Sequence, residues 1–304
     1  MRKFSRPLLT IAIPTYNRAE FLEKCLSRVL AQCDFSRVEV LVSDNCSEPS
    51  TQKVVNNFQI TYPELAYYRN DENIGMDGNF LCCYERAKGD YLWLLGDDDF
   101  LLPGVIKELL KILEEQRPGV LHLDQRTGQP ECLLFDTLGD FVRHVGYWLT
   151  YCSANIFRID TQDVDRSFFN ATNGSLLSVT HMFIHSAANY SASNIVLGAP
   201  IISGGHDLRR NGGYNFFKVF GDNLVLILRN LHNTHVLSWR QFNAIKFELF
   251  RCHIYPNYKR YVLNGEKSLY DVKGVHYIIW KNFLLDVGFI ASCSKYLIAK
   301  WLSR

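Results

Sequence analysis

At residues 91–99 the chain reads Tyr91-Leu92-Trp93-Leu94-Leu95-Gly96-Asp97-Asp98-Asp99. Five apolar residues in succession are typical of a strand buried on both faces, as the strands of parallel sheets are. Three adjacent carboxylates repel one another, so we expect a positive group beside them. Their hard oxygens suit Mg²⁺ or Mn²⁺. The stretch therefore predicts a cation site at the end of a buried strand; the alternative is a solvated acidic turn before a helix.

Buried strands of this kind alternate with amphipathic helices over the first 125 residues. The apolar runs predict strands at residues 8–13, 38–42, 65–69, 91–95 and 120–123. The helical spacing of apolar side chains predicts helices at residues 20–31, 51–58, 79–87 and 104–115. This alternation predicts an α/β fold in which helices cover both faces of a parallel sheet.

The three most polar loops each follow a predicted strand. They comprise residues 14–18, 43–47 and 96–99. In open parallel sheets the carboxyl ends of the strands lie at one edge, and ligands bind there. We therefore expect the three loops to line a single site.

The composition is that of an ordinary globular protein. Of its 304 residues, 47% are hydrophobic and 21% are charged, which excludes a disordered chain. Nine cysteines without metal-type spacing indicate free thiols in a reducing, cytoplasmic compartment. The apolar run at residues 8–13 is too short for a signal peptide, and no run reaches the roughly 20 residues of a spanning helix.

Beyond residue 125 the pattern loosens and becomes mainly helical. It predicts a helix at residues 141–149, a strand at 151–158, and further helices at 220–231, 239–255 and 275–302. Residues 174–188 mix Ser, Thr and His with apolar residues and give no clear pattern. Residues 201–213 form a glycine-rich turn region.

Four motifs occur in order along the first half. They are Ile13-Pro14-Thr15-Tyr16-Asn17-Arg18, Val42-Ser43-Asp44-Asn45-Cys46-Ser47, Asn73-Ile74-Gly75-Met76-Asp77-Gly78-Asn79 and Leu94-Leu95-Gly96-Asp97-Asp98-Asp99. Together they resemble family 2 of the inverting glycosyltransferases, which have the GT-A fold. The fourth motif is also similar to that of O-antigen transferases of the abequosyltransferase type.

The resemblance implies a domain organisation. It places a GT-A nucleotide-sugar domain at residues 1–235, with a mixed, mostly parallel sheet and helices on both faces. The donor half would be residues 1–125 and the acceptor half residues 126–235. A mainly helical extension, basic and aromatic, would follow at residues 236–304.

The resemblance also assigns residues to a nucleotide-sugar donor. Those expected to wrap the base and ribose are Pro14, Thr15, Tyr16 and Arg18. Asp44 would accept a hydrogen bond from the base edge, and Asn73, Gly75 and Asn79 would lie near the ribose and diphosphate. From the residues alone, Tyr16 could instead pack in the core, Asp44 could cap the next turn, and Gly75 could be a turn glycine.

The acidic motif would hold Mg²⁺ or Mn²⁺ against the donor diphosphate. By resemblance Asp98 is the principal metal ligand, with Asp97 and Asp99 beside it in the DXD pattern. The wider family commonly has an acid two positions before this ligand, where the present chain has Gly96. We therefore expect weaker metal use than the motif alone implies.

Inverting transfer needs a general base for the acceptor hydroxyl. The Glu-Asp pair that the wider family carries in its second half is missing here. The candidates are His181, Asp207 and Asp222, and His181 is preferred because it lies near where the family's base helix would fall.

The predicted activity is transfer of a sugar from a UDP-sugar, or a CDP- or dTDP-deoxysugar, to a glycan acceptor in bacterial surface polysaccharide synthesis. Residues 240–304 carry eleven Lys or Arg against four Asp or Glu, and the aromatic residues Trp280, Phe283, Tyr296 and Trp301 are interspersed with the basic ones. A basic aromatic helix suits the cytoplasmic face of the inner membrane and a lipid-linked acceptor. Nucleic acid is not an expected partner. The alternatives are a nucleotidyltransferase, disfavoured because a glycine-rich phosphate loop is missing, and an inactive sugar-nucleotide-binding module.

Overall fold

The computed structural model describes residues 6–126, 131–159, 174–190, 193–204, 212–286 and 289–290. The strands are β1 (Leu9–Thr15), β2 (Val38–Asp44), β3 (Ala66–Arg69), β4 (Tyr91–Leu94), β5 (Asp99–Leu101), β6 (Val120–Asp124), β7 (Glu131–Phe135), β8 (Asn155–Arg158), β9 (Asn194–Gly198), β10 (Ile202–Gly204), β11 (Gly212–Asn215) and β12 (Leu269–Asp271). The helices are α1 (Ala19–Leu30), α2 (Pro49–Thr61), α3 (Gly75–Arg86), α4 (Val105–Gln116), α5 (Leu138–Val145), α6 (Ser178–Asn189), α7 (Leu224–Asn233), α8 (Trp239–Leu249), α9 (Tyr255–Tyr258) and α10 (Val275–Ile279).

The main sheet has the order β3-β2-β1-β4-β8-β6-β9-β7 among the described residues. Strands β3, β2, β1 and β4 run parallel to one another, and β6 runs parallel to β9. Strand β8 lies between β4 and β6 and is antiparallel to both. The predicted mixed, mostly parallel sheet is therefore confirmed, and the carboxyl ends of β1, β2, β3, β4 and β6 all lie at the same edge.

The apolar runs of the sequence form the central strands, and their side chains make up the hydrophobic core. The strands β1, β2 and β4 are almost entirely buried, as are the apolar stripes of α1 and α4. These side chains form one continuous hydrophobic cluster. At about 25 cal/mol for each Å² of apolar surface removed from water, this packing provides the main force that holds the carboxyl edge in place.

Internal contacts divide the chain into two compact units. The first comprises residues 1–136 and 149–206 and contains the main sheet. The second comprises residues 137–148 and 207–304 and contains α5, α7 to α10 and the small β11–β12 sheet. The predicted domain boundary at residue 235 differs from this division and remains a prediction.

The second half departs from the sequence-based expectation in two places. The unpatterned segment 174–188 contains α6, and the predicted strand at 151–158 begins as a 3-10 turn, Cys152–Ala154, before β8. Of the predicted helix at 275–302, residues 275–284 are helical, and residues 291–304 lie outside the described part. In the described ranges, every helix is too short or too polar to cross a membrane.

Candidate active site

The three polar loops touch one another at the carboxyl edge. The backbone N–H of Asn45 donates to the carbonyl of Thr15 at 2.9 Å, which joins the first loop to the second. The hydroxyl of Thr15 donates to Asp97 Oδ2 at 2.7 Å, which joins the first to the third. The N–H of Asn17 donates to Ser47 Oγ at 2.9 Å. The structure therefore brings the predicted loops together into one site.

Arg18 is the positive group that faces the acidic motif. Its Nη1 lies 3.0 Å from Asp97 Oδ1, and its Nη2 donates to Asp98 Oδ2 at 2.5 Å. Asp97 is only 3% exposed. Burial raises the pKa of Asp97 to about 7, although Arg18 and the Thr15 hydroxyl stabilise its charged form. Arg18 and Thr15 therefore favour the charged form of Asp97, which burial alone would strongly disfavour.

Asp99 is held by Tyr151, a residue to which the sequence analysis assigned no role in the site. The hydroxyl of Tyr151 donates to Asp99 Oδ1 at 2.7 Å. Burial is the main cause that raises the pKa of the Tyr151 phenol, and the charge of Asp99 is the second cause. Tyr151 lies 52 residues further along the chain. Sequence spacing gave no signal for this contact, because it depends on the antiparallel return of β8.

Gly96 lies in a crowded position, so a side chain there would force its neighbours to shift. A Cβ at this position would lie 2.9 Å from Asp99 Oδ2, 3.2 Å from Asp98 Oδ1 and 3.3 Å from Ser153 Oγ. The N–H of Gly96 donates a hydrogen bond to Ser153 Oγ at 2.8 Å. An acid at this position, as in the wider family, would displace both carboxylates.

The same crowding tests whether the residues fit a divalent cation. Oxygens of Asp98 and Asp99 lie 3.2 Å and 2.9 Å from the position that a Gly96 Cβ would occupy, so both carboxylates line the space beside Gly96. Among the described residues, no set of three or more His, Cys, Asp or Glu side chains is placed to hold a metal. Mg²⁺ commonly takes one or two carboxylates and completes its shell with substrate phosphates and water. The pair Asp98 and Asp99 fits a cation of that kind.

Asp44 is fully buried beneath the edge. Its Oδ1 accepts from the N–H of Ser47 at 2.8 Å, and its Oδ2 accepts from the Tyr67 hydroxyl at 2.6 Å. The Nε of Arg69 lies 3.9 Å from the same Oδ2. Asp44 therefore shapes its own turn and orients Tyr67. The contact of Asp44 with the nucleotide base remains a prediction. It would require these oxygens to accept a further hydrogen bond.

The predicted donor residues Asn73 and Asn79 belong to a network of amides. Asn73 Oδ1 accepts from Asn45 Nδ2 at 2.8 Å and from the N–H of Gly75 at 3.0 Å. Asn79 Oδ1 accepts from Ser43 Oγ at 2.8 Å. Asn79 is buried, whereas Asn73 is exposed. Gly75 has a φ of +77°, a left-handed conformation that favours glycine.

Arg86 donates hydrogen bonds to this network, and the sequence analysis did not identify it as a residue of the site. Its Nη1 donates to Ser43 Oγ at 3.0 Å and its Nη2 to Asn70 Oδ1 at 3.1 Å. Its guanidinium also lies 4.9 Å from the centre of the Tyr68 ring. A buried polar network that is satisfied in this way rigidifies the loops it joins.

The end of β1 and the loop after it present side chains with different exposures. Tyr16 is 45% exposed, so it does not pack in the core, whereas Thr15 is buried at 3%. Pro14 is half-buried. An exposed aromatic ring at the edge of the sheet is available to stack on a flat ligand group.

The three candidate bases have different surroundings. His181 lies on the first turn of α6, where burial lowers its pKa and the charge of Asp77 opposes that shift. Asp222 lies in the second unit and accepts from Lys281 Nζ at 2.9 Å and from Asn282 Nδ2 at 3.0 Å. Burial raises the pKa of Asp222, but these bonds outweigh it and lower the pKa. Asp207 lies outside the described residues.

Comparisons with known proteins agree with this arrangement. A family model described as Glycosyl transferase family 2 matches residues 10–171. The chain is 37% identical to the abequosyltransferase RfbV of Salmonella typhimurium over 123 residues, 40% of this chain and 37% of the relative. It is 34% identical over 118 residues, 38% of this chain, to the GalNAc(5)-diNAcBac-PP-undecaprenol beta-1,3-glucosyltransferase of Campylobacter jejuni, again 37% of the relative. The chain thus spans little more than a third of the length of both relatives.

Solved structures share the architecture. TarS of S. aureus in complex with UDP-GlcNAc superposes with a TM-score of 0.59 at 14% identity, covering 84% of this chain and 76% of that one. The mannosyltransferase PcManGT of Pyrobaculum calidifontis, in complex with GDP-Man and Mn²⁺, gives a TM-score of 0.50 at 15% identity, covering 77% and 65%. At these identities the likeness is one of fold, and it confirms the predicted GT-A class.

The crowding above Gly96 gives a prediction about stability. We expect Gly96→Ala to cost about 1–3 kcal/mol of unfolding free energy, because the new methyl group displaces two held carboxylates. The cost should be smaller in an Asp99→Ala background, since the atom nearest to the methyl group is then gone. Urea unfolding of the two single variants and the double variant measures this coupling. Additive effects would contradict the steric account of Gly96.

Proposed function

The chain belongs to glycosyl transferase family 2, and we propose that it moves a sugar from a nucleoside-diphosphate sugar to a glycan acceptor with inversion. The single observation that carries the proposal is that the loop at residues 14–18 contacts both other loops, and that its contact with the acidic motif is the Arg18–Asp97–Asp98 cluster. This cluster lies at the carboxyl edge, where open α/β sheets bind their ligands.

Each part of the edge has a role in this proposal. Tyr16 and the turn held by Asp44 receive the base and ribose, and the backbone around Gly75 approaches the diphosphate. Asp98 and Asp99 would hold Mg²⁺ or Mn²⁺. A bound cation of this kind stabilises negative charge on the leaving nucleotide. Arg18 keeps Asp97 and Asp98 in place while the donor enters.

A ring nitrogen of His181 takes the proton of the acceptor hydroxyl in the preferred version of this proposal. Because burial lowers the pKa of His181, its ring is neutral near pH 7 and can accept that proton. Asp222 and Asp207 remain the alternative bases. Asp222 would first have to release Lys281.

The donor and acceptor are proposed by analogy with the named relatives. A UDP-sugar is the first candidate donor, with CDP- and dTDP-deoxysugars as alternatives. The name of the Campylobacter relative contains an undecaprenol-linked acceptor, which supports a lipid-linked glycan here. The Salmonella relative is named an abequosyltransferase, the type that the fourth motif resembles, and from that resemblance we propose a place in O-antigen or capsule synthesis.

The assignment of Asp98 is tested with a matched variant. We expect Asp98→Asn to lower Mn²⁺-dependent turnover of UDP-, CDP- or dTDP-sugars by roughly 100-fold or more, because it removes a charged ligand at the leaving group. Donor hydrolysis and transfer are measured by release of the nucleoside diphosphate.

Asp90→Asn is the control for that experiment. Asp90 lies just before β4, and Asp98 lies after it. Both side chains are 19% exposed, and both form ion pairs with arginine. Asp90 lies at the opposite end of the strand, so its variant should keep wild-type turnover. Full activity of Asp98→Asn would show that the metal assignment is wrong.

We also propose that the second unit docks peripherally on the cytoplasmic face of the inner membrane. Tyr277, Trp280 and Leu284 are between 50% and 62% exposed, at the i, i+3 and i+7 spacing of one helical face. Lys281 lies on the same face, is 43% exposed and is ion-paired with Asp222. Aromatic side chains with basic neighbours favour the interface of an anionic bilayer. Phe283, which the sequence analysis grouped with Trp280, is fully buried and packs on Phe250 instead.

Vesicle binding tests this surface. We expect Trp280→Ser with Leu284→Ser to weaken partition into phosphatidylglycerol vesicles by roughly tenfold, because two half-exposed apolar side chains no longer insert. Trp239→Ser is the matched control, since Trp239 is 54% exposed on α8. Flotation assays measure the bound fraction. Equal losses in both variants, or none in either, would remove this surface from the account.

A further inference from the structure

Asp77 is a buried carboxylate that the donor site does not use directly. It lies on the first turn of α3, is 5% exposed, and contacts a segment about 100 residues away. Its Oδ2 accepts from the N–H of Gly174 at 3.0 Å and from the N–H of Leu176 at 2.9 Å. Its Oδ1 accepts from Ser178 Oγ at 2.6 Å and from the N–H of Ser178 at 3.4 Å. One side chain thus receives four hydrogen bonds from the entry to α6.

The receiving turn is shaped around this carboxylate. Gly174 has a φ of +81° and Leu176 a φ of +58°, and the second value is unfavourable for a side chain with a Cβ. A strained backbone persists only where its surroundings determine it. Backbone N–H groups that converge on one anion can hold a turn in such a conformation. The turn before α6 therefore depends on Asp77.

The other end of this connection lies in the donor site. Asp77 belongs to the donor loop, which we define as residues 73–79. Two residues earlier, Gly75 donates to Asn73 Oδ1, and Asn73 in turn accepts from Asn45. Any ligand that orders the donor loop therefore also acts on the position of Asp77.

His181 lies three residues after Ser178 and so faces the same side of α6. The charge of Asp77 raises the pKa of His181 against the effect of burial, which agrees with their proximity. Asp77 thus connects the donor loop to the helical turn that carries the preferred base.

We propose that Asp77 is a positioning residue that couples the donor loop to the first turn of α6, so that donor binding sets the placement of His181. This inference rests on the proposed transferase function. It predicts that a nucleoside diphosphate orders residues 174–181 without touching them, which is a coupling free energy between two sites.

Hydrogen exchange of the full chain tests the coupling. Saturating UDP, CDP or dTDP with Mn²⁺ should slow amide exchange of the wild-type chain both in the donor loop and in residues 174–181, by about fivefold or more. In Asp77→Asn the protection of the donor loop should remain and that of residues 174–181 should be lost. The amide has a single acceptor oxygen, and its NH₂ group faces backbone donors.

Two further variants sharpen the result. Asp71→Asn changes an exposed carboxylate just before the donor loop and should behave as wild type. Ser178→Ala removes the 2.6 Å bond alone and should lose part of the protection, even if Asp77→Asn does not fold. Ligand-induced protection at residues 174–181 that survives in both Asp77→Asn and Ser178→Ala would overturn the coupling. So would wild-type protection confined to the donor loop. If none of the three nucleotides protects the donor loop, the proposed function itself is wrong.

Discussion

The site depends on one constraint, which is that the carboxyl group of Asp97 is buried beside Arg18 at the end of a central strand. Burial alone would drive this group toward its neutral form, and Arg18 and Thr15 counteract that tendency. Thr15 ends β1 and Arg18 lies in the loop after it, so Asp97, which follows β4, fixes the end of the neighbouring strand and its loop. Removing a partner from a buried charge is far more costly than removing a surface contact.

The residues of the edge divide into those that support it and those that face a ligand. Asp44 and Asn79 are buried and bonded to their surroundings, whereas Tyr16 and Asp98 retain exposure. Asp44 is nevertheless essential in this account, because it shapes the turn that a donor would meet. Precise placement of such groups depends on locked neighbours more than on the ligand-facing side chains themselves.

The sequence predicted the donor half well for a physical reason. Apolar runs and helical spacing report burial directly, so the strands and helices around the edge were placed within a few residues. Burial does not report strand direction, so the sequence predicted a strand at residues 151–158 but neither the antiparallel direction of β8 nor the Tyr151 contact. The same holds for Asp77, whose partners lie about 100 residues away. Gly96 was noticed as a departure, but its reason required the positions of the two carboxylates beside it.

The central claim is that the three loops form a donor pocket whose cation lies beside Asp98 and Asp99. Crystals grown with a nucleoside diphosphate and Mn²⁺ test it most directly, because anomalous scattering locates manganese without reference to a model of the site. The account predicts one anomalous peak within coordination distance of Asp98 or Asp99 and of a diphosphate oxygen, about 2 Å from each ligand. A nucleotide bound away from the carboxyl edge, or a manganese peak remote from both carboxylates, would contradict it.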